Sequence, residues 1–231
     1  MKLPPLDARL RLIVSMVRPG RQAADVGTDH GKLIAHLVGT GRSTGGCATD
    51  IRPGPLSKAR ELVDELGLQD KIQVLLCDGL AAVEDHMAQE IIIAGMGGDT
   101  IVHILESWPW SKEPDKHFLL QAMTKPEVLR GWLWQNGFDI AEERCAFQSG
   151  HAYSVMSVYY TGQTKEPDEL MLCLGAIRDF DHPDAQAYGQ KILFQLEQKA
   201  AGMEKAGQDA AHWRSLMEQI KARMTTKEAQ P

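Results

Sequence analysis

Short, almost continuously apolar runs alternate with helical patterns from about residue 22 to residue 137, and this alternation restricts the fold more than any other feature. The predicted strands are 22–28, 43–50, 71–78, 90–96 and 116–122. The predicted helices between them are approximately 30–39, 55–66, 99–107 and 126–136. Strands that are apolar on both faces are typical of parallel sheets covered by helices on both sides. The alternation therefore predicts an α/β domain built on five parallel strands.

The pattern changes after residue 137. Residues 138–150 and 151–162 have no helix between them, so they predict an antiparallel hairpin with its turn near Ser149–Gly150. Five parallel strands closed by such a hairpin match the seven-stranded, Rossmann-like sheet of class I methyltransferases. A plain nicotinamide-binding sheet would not end in this way.

The remainder of the chain is predicted to be a helical tail. A polar segment containing Pro167 is interpreted as a linker, and helical spacing follows at 184–206 and 209–224. Two such helices predict an antiparallel, coiled-coil-like pair. We therefore expect two domains, a methyltransferase domain over 1–162 and a helical tail over 163–231.

Composition narrows the class of protein. The formal net charge of −6 argues against nonspecific coating of nucleic acid, although residues 1–21 hold five basic residues and one acidic residue, a local excess of +4. The four cysteines form no CxxC pair, which favours a reduced cytoplasmic protein without a zinc site. No segment approaches the roughly 20 apolar residues that span a bilayer. Arg9 and Arg11 in the basic segment are our candidates for binding an anionic substrate.

The first strand ends in a turn, residues 25–31, that carries both glycine and carboxylate. Gly27 permits close approach of a ligand, as in the dinucleotide fingerprint, but Asp29 stands where that fingerprint has its central glycine. A carboxylate there would repel a pyrophosphate and attract the sulfonium or ammonium group of S-adenosylmethionine. An ordinary strand–helix turn is the alternative interpretation.

Carboxylates also end the second and third strands. Asp50 follows Gly27 by 23 residues, a spacing that suits two hydrogen-bond acceptors for a ribose diol. Asp78 is placed to accept from an adenine N6 amine, and Gly79 lets the backbone approach the ring. Each residue alone could be a helix cap or a turn residue. Together they predict a site for an adenosine that carries positive charge and no phosphate.

The fourth strand ends in the glycine-rich loop 94–98, which offers almost only backbone to a ligand. Gly95 and Gly97 would let a flat base lie close to a methyl donor, and Met96 would provide an apolar wall. A glycine-rich turn before a helix is the alternative.

The motifs that carry chemistry also resemble a known family. They are LDARLRLIVSMV (6–17), ADVGTDHGKL (24–33), ATDIRPGPLSKAR (48–60), DGL (78–80), IAGMGGDTIVHIL (93–105), LLQAM (119–123), LRGWLWQNGFDIAEE (129–143) and HAYSVM (151–156). In this order and combination the chain resembles the TrmK family of bacterial tRNA (adenine(22)-N(1))-methyltransferases. It departs from the family's usual pattern at Ala122, where a proline is usual, and at Lys32 and Ile34, where tyrosine and proline are common.

The resemblance implies a cofactor, a substrate and a set of site residues. The cofactor is S-adenosyl-L-methionine, the partner is tRNA, and no metal is expected. The residues expected to bind the cofactor are Gly27, Thr28, Asp29, His30, Asp50, Ile51, Asp78, Gly79 and Gly95. Asp29, Met96 and Gly97 are expected at the reacting atoms, with Gln121 and Met123 joining Arg9 and Arg11 on the substrate side.

The chemistry expected from these residues needs neither a metal nor a covalent intermediate. Adenine N1 has an in-plane lone pair that can attack a sulfonium methyl directly, so catalysis would come from positioning and electrostatics. Three alternatives remain open at this point: methylation of another nucleobase or a small molecule, a noncatalytic tRNA-binding protein with a vestigial pocket, and a nicotinamide oxidoreductase.

Overall fold

One seven-stranded sheet forms the centre of the computed structural model, which describes residues 2–225. The strands are β1 (Arg21–Val26), β2 (Ser43–Asp50), β3 (Ile72–Leu76), β4 (Glu90–Gly97), β5 (His117–Thr124), β6 (Phe138–Gln148) and β7 (His151–Tyr160). The α-helices are α1 (Ala8–Met16), α2 (Lys32–Gly39), α3 (Pro53–Glu65), α4 (Gly98–Ser107), α5 (Pro126–Gln135), α6 (Glu169–Leu174), α7 (Pro183–Lys205) and α8 (Ala211–Thr225). A short 3-10 helix covers Asp85–Met87.

The strand order is β3-β2-β1-β4-β5-β7-β6. The first five strands pair in parallel, and β7 lies antiparallel between β5 and β6. Ser149 and Gly150 at the hairpin turn both have positive φ, as a two-residue type I′ turn requires. The order and the turn confirm the predicted class I methyltransferase sheet and its closing hairpin.

Strand β4 shows why the apolar runs become parallel strands. Ile91 and Ile93 pack in one core cluster with Phe118, whereas Ile92 packs in a second cluster with Leu119. All five side chains are fully buried. A strand covered on both faces excludes water only if consecutive residues are apolar, and this requirement explains the absence of alternation in the sequence.

The ligand-binding edge follows from the topology. Strand β1 pairs with both β2 and β4, so the strand order reverses at β1. In open α/β sheets ligands bind at the carboxyl ends of the strands around such a switch point. Strand β1 ends at Val26, two residues before the predicted end, because Gly27 turns the chain with a φ of 70°.

The N-terminal helix α1 begins at that edge and runs toward the opposite end of the sheet, where Arg18 contacts Glu90. The Asp7 side chain caps the helix by accepting a hydrogen bond from the backbone N–H of Leu10, at 2.7 Å. The backbone N–H of Ala8 donates to the side-chain oxygen of Gln148 at the end of β6. These contacts hold Arg9, in the first turn of α1, above the carboxyl ends of the strands.

The tail forms the expected antiparallel helix pair and one additional helix. Helices α7 and α8 share a core that includes Ile192, Leu196, Leu216 and Ile220. Helix α6 begins at Glu169, the last residue of the predicted linker at 163–169, and continues to Leu174. A short helix that the sequence pattern did not predict therefore follows the linker. Residues 226–231 of the predicted tail lie outside the described residues.

A buried polar network joins the tail to the sheet. The Arg130 guanidinium of α5 forms an ion pair with Glu143 of β6 at 2.5 Å and donates to the Tyr188 hydroxyl of α7 at 2.9 Å. It also donates to the carbonyl of Leu172 in α6, at 2.7 Å. Arg130 is fully buried, and these contacts together offset the cost of its desolvation. The boundary near residue 162 remains a prediction.

Across residues 2–225, we find no helix with both the length and the apolar character needed to cross a bilayer.

Candidate active site

The turn after β1 is organised around one buried hydroxyl, that of Thr28. Thr28 is buried, and its hydroxyl donates to Asp25 Oδ2 at 2.6 Å while accepting from the backbone N–H of Gly31 at 3.2 Å. His30 and Gly31 both have positive φ. The loop therefore turns its own polar groups inward and leaves the Asp29 side chain 84% exposed.

Gly27 lies where the first and fourth strand ends meet. A Cβ at Gly27 would overlap the terminal methyl group of Met96. Only glycine, with its φ of 70°, allows this approach without displacing Met96. The predicted cofactor loop and the predicted base loop are therefore in direct contact.

Asp25, the first residue of the turn 25–31, is a further residue of the site. It lines a cavity of about 190 Å³ together with Arg9, Leu10, Gly27, Asp29 and Ala94. Burial raises the pKa of Asp25 to about 6, although the hydrogen bond from Thr28 acts in the opposite direction. A cation that binds next to such a buried carboxyl group stabilises its ionised form.

The ends of β2 and β3 form a second part of the site. Asp50 is nearly buried, and its Oδ1 accepts from the backbone N–H of Arg52 at 2.7 Å. Ile51 and Leu76 are 63% and 58% exposed, and Leu76 pairs in register with Asp50. Leu76 was missed because one apolar residue inside an apolar run carries no signal of exposure.

Asp78 and Gly79 follow β3. The Asp78 side chain is exposed and accepts no hydrogen bond from any residue between 2 and 225. Gly79 has a φ of 53°, and a Cβ there would lie 2.9 Å from Cγ1 of Ile104. An unpartnered carboxylate beside a bare stretch of backbone fits a flat ring with an exocyclic amine.

Gln121 connects the N-terminal helix to the glycine-rich loop. Its side-chain oxygen accepts from Arg9 Nη1 at 2.9 Å and from the backbone N–H of Gly95 at 3.1 Å. Gln121 is fully buried, and Met123, two residues farther along β5, is 46% exposed. The structure thus brings Arg9, Gln121, Gly95 and Met123 to one edge of the sheet.

Two of the expected site residues are less closely associated with this edge. Arg11 is exposed and donates to the carbonyl of Leu6 at 2.5 Å, away from the Gln121 cluster. His30 is 47% exposed, and its Nε2 lies 3.5 Å from Asp29 Oδ1. Within residues 2–225, no three His, Cys, Asp or Glu side chains are grouped as metal ligands.

A comparison with known protein families identifies the family to which the chain belongs. A family model described as a methyltransferase domain matches residues 6–156, from the start of α1 into β7. The chain belongs to the methyltransferase-domain family. Every site residue described above lies inside the matched region, whereas α6, α7 and α8 lie outside it.

Individual relatives of this methyltransferase cover nearly the whole chain. The tRNA (adenine(22)-N(1))-methyltransferase of Bacillus subtilis is 28% identical over 215 residues, which are 93% of this chain and 85% of the relative. A Streptococcus pneumoniae protein crystallised with S-adenosyl-L-methionine is 29% identical, with a TM-score of 0.82 over 95% of this chain and all of that one.

A third relative has a similar fold over nearly the whole chain. A Streptococcus agalactiae protein of the NADB-Rossmann superfamily is 26% identical, with a TM-score of 0.84 over 96% of this chain and 98% of that one. Because these likenesses include the tail, they confirm the family resemblance beyond the catalytic domain.

Proposed function

We propose that this methyltransferase transfers the methyl group of S-adenosyl-L-methionine to N1 of the adenine at position 22 in tRNA. The observation that carries the proposal is the pair of open carboxylates, Asp29 after β1 and Asp78 after β3, at the same edge of the sheet as the glycine-rich loop that ends β4. The name of the Bacillus subtilis relative and the ligand of the Streptococcus pneumoniae structure support it. Such a substrate would place the protein in the cytoplasm.

The adenosine half of the cofactor fits the ends of β2 and β3. Asp50 has one carboxylate oxygen committed to Arg52, which leaves Oδ2 to accept from a ribose hydroxyl. Asp78 would accept from the adenine N6 amine, and Ile51 and Leu76 would cover the ring with apolar surface. Gly79 keeps the backbone close enough for the ring to lie against it.

The methionine half fits the 190 Å³ cavity at the end of β1. Its α-ammonium group would face Asp25 and Asp29, and its α-carboxylate would accept from Arg9. This assignment gives Arg9 a cofactor role in place of the tRNA contact expected from the sequence, because Arg9 is held in the cavity by Gln121. Arg11 stays exposed and remains the candidate contact to a tRNA phosphate.

The catalytic contribution of the chain is placement and electrostatics. When bound, S-adenosyl-L-methionine would supply an electrophilic methyl group for adenine N1, whose in-plane lone pair is the nucleophile. Gly95 and Gly97 admit the flat base, and Met96 forms its apolar wall. Asp29 stabilises the positive charge and can accept from the base N6 amine.

Incubation with bulk bacterial tRNA and methyl-labelled S-adenosyl-L-methionine, followed by nucleoside analysis, tests the proposal. We expect the label in 1-methyladenosine, located at position 22 by primer-extension arrest. The Asp29→Asn variant serves as a matched control, because it removes the exposed charge while retaining side-chain size. Label in a different nucleoside, or tRNA without label, would refute the proposed substrate.

A further inference from the structure

A cavity of about 570 Å³ lies between the end of β5 and helices α5 to α8. We call it the tail cavity. Its lining includes Met123, Lys125, Leu172, Lys199, Trp213 and Leu216. A volume of this size is typical of pockets that enclose small organic ligands. The proposed methyl transfer uses none of its residues beyond Met123, so the tail cavity needs an explanation of its own.

The tail cavity is continuous with the loop assigned to the target base. A Cβ on Gly97 would lie 3.2 Å from the Thr124 hydroxyl, and a Cβ on Gly98 would overlap the carbonyl of Lys125. Thr124 and Lys125 are both part of the cavity lining. Because Gly97 borders the target base, a group attached directly to that base's nucleotide can reach the cavity.

The chemistry of the tail cavity combines an aromatic ring with ammonium groups. Lys199 Nζ lies 3.5 Å from the centroid of the Trp213 ring, so a cation covers the indole face. Lys191 also lines the cavity and donates to the carbonyl of Ala152 at 3.1 Å. An aromatic face with nearby cations is the combination that binds a nucleobase together with its phosphate.

Charges around the cavity favour the same occupant. Two acidic residues, Glu127 and Glu169, also line the cavity. The Glu169 carboxylate lies 2.8 Å from His212 Nε2. Two nearby cations are already engaged: Lys125 of the lining forms an ion pair with Asp99 at 2.5 Å, and Arg214 forms ion pairs with Glu197 and Glu204. In a chain of net charge −6, Lys191 and Lys199 are therefore the cavity cations that can attract a phosphate.

We propose that the tail cavity binds the nucleotide adjacent to the target adenine after that adenine has been extruded. The inference rests on the proposed tRNA methylation. N1 lies on the pairing edge of adenine, so the target must leave its stack before reaction, and its neighbour loses a stacking partner. Trp213 replaces the lost stacking surface, and Lys199 moves from the ring face to the phosphate.

The test compares two charge reversals on α7, Lys199→Glu in the cavity and Lys205→Glu outside it. Both lysines are exposed, so both variants should fold, which thermal melting would verify. We expect Lys199→Glu to raise the KM for tRNA by about fivefold or more, with the KM for S-adenosyl-L-methionine unchanged. The KM of Lys205→Glu for tRNA should equal that of the unsubstituted protein. Lys199→Arg, which keeps the positive charge, should also have this KM.

Ultraviolet crosslinking of the full chain to bulk tRNA supplies a second measurement. We expect a nucleotide adduct on the peptide that carries Lys199 or Trp213. Equal KM values for both charge reversals, with adducts only outside the tail cavity, would overturn this inference and leave the proposed function intact. Failure of the unsubstituted protein to methylate tRNA would overturn both.

Discussion

Ionisable side chains lie at both ends of the central sheet. At one end they are paired with other protein groups, and at the other end some of them have no strong protein partner. At the amino ends of the strands, His117 Nδ1 lies 2.7 Å from Glu90 and Nε2 lies 2.8 Å from the Ser157 hydroxyl. Arg18 completes the network through Glu90, at 2.5 Å. At the carboxyl ends, Asp29 and Asp78 project without a strong partner among the described residues. Charges whose partners come from the protein support the fold, and charges left open are available to a ligand.

The largest effect is expected from Glu90→Ala. Glu90 is fully buried, so its replacement removes the carboxylate that contacts both the buried His117 and Arg18 at the amino ends of the strands. We expect the free energy of unfolding to fall by about 3–5 kcal/mol in denaturant titrations. Asp78→Ala is the matched control, with a change within about 0.5 kcal/mol. If both variants lose a comparable free energy of unfolding, the charged residues at the two ends of the sheet do not differ in their contribution to folding.

Asp50→Ala should have the next largest effect, on cofactor affinity. Asp50 is nearly buried and has one oxygen free for a ribose hydroxyl, so the variant loses a charge-assisted hydrogen bond. We expect binding of S-adenosyl-L-methionine to weaken by about 2–3 kcal/mol in calorimetry. Unchanged affinity would show that the ribose binds elsewhere.

A smaller effect is expected from Asp25 as the pH changes. Burial raises the pKa of Asp25 from an ordinary value of 3.8 to about 6, so protonation favours the folded state. This contribution is fully present below about pH 4 and is lost as the pH rises through 6. Its size should be about 1–3 kcal/mol.

Unfolding titrations between pH 4 and pH 7 measure this contribution. The difference in stability between Asp25→Asn and the unsubstituted protein should change across that window, in favour of the variant at higher pH. Saturating S-adenosyl-L-methionine should reduce the difference, because a bound ammonium group stabilises the charged carboxylate. A pH-independent difference would contradict the role given to Asp25.

The sheet was predictable because its signals are local. Continuous apolar runs mark the parallel strands, and the missing helix after residue 137 marks the hairpin. The grouping of the acidic strand ends was also predictable, because the carboxyl ends of parallel strands lie at one edge of the sheet. The assignment of each carboxylate to a part of the cofactor remains a prediction.

Contacts between distant segments were not predictable from the same signals. Arg9 and Gln121 are 112 residues apart, and only the folded chain shows that they share a hydrogen bond above the sheet. The burial of Asp25 depends likewise on the packing of α1 and α2 around it. The tail network of Arg130 has no sequence periodicity at all, because its members come from separate elements.

Calorimetric titration of the purified chain tests the central claim most directly, namely that the open end of the sheet binds S-adenosyl-L-methionine. The account predicts that this compound and its demethylated product bind, that NAD does not, and that Asp78→Ala weakens binding by about 1–3 kcal/mol without lowering stability. Binding of NAD without any response to S-adenosyl-L-methionine would contradict it, as would an Asp78→Ala variant of undiminished affinity.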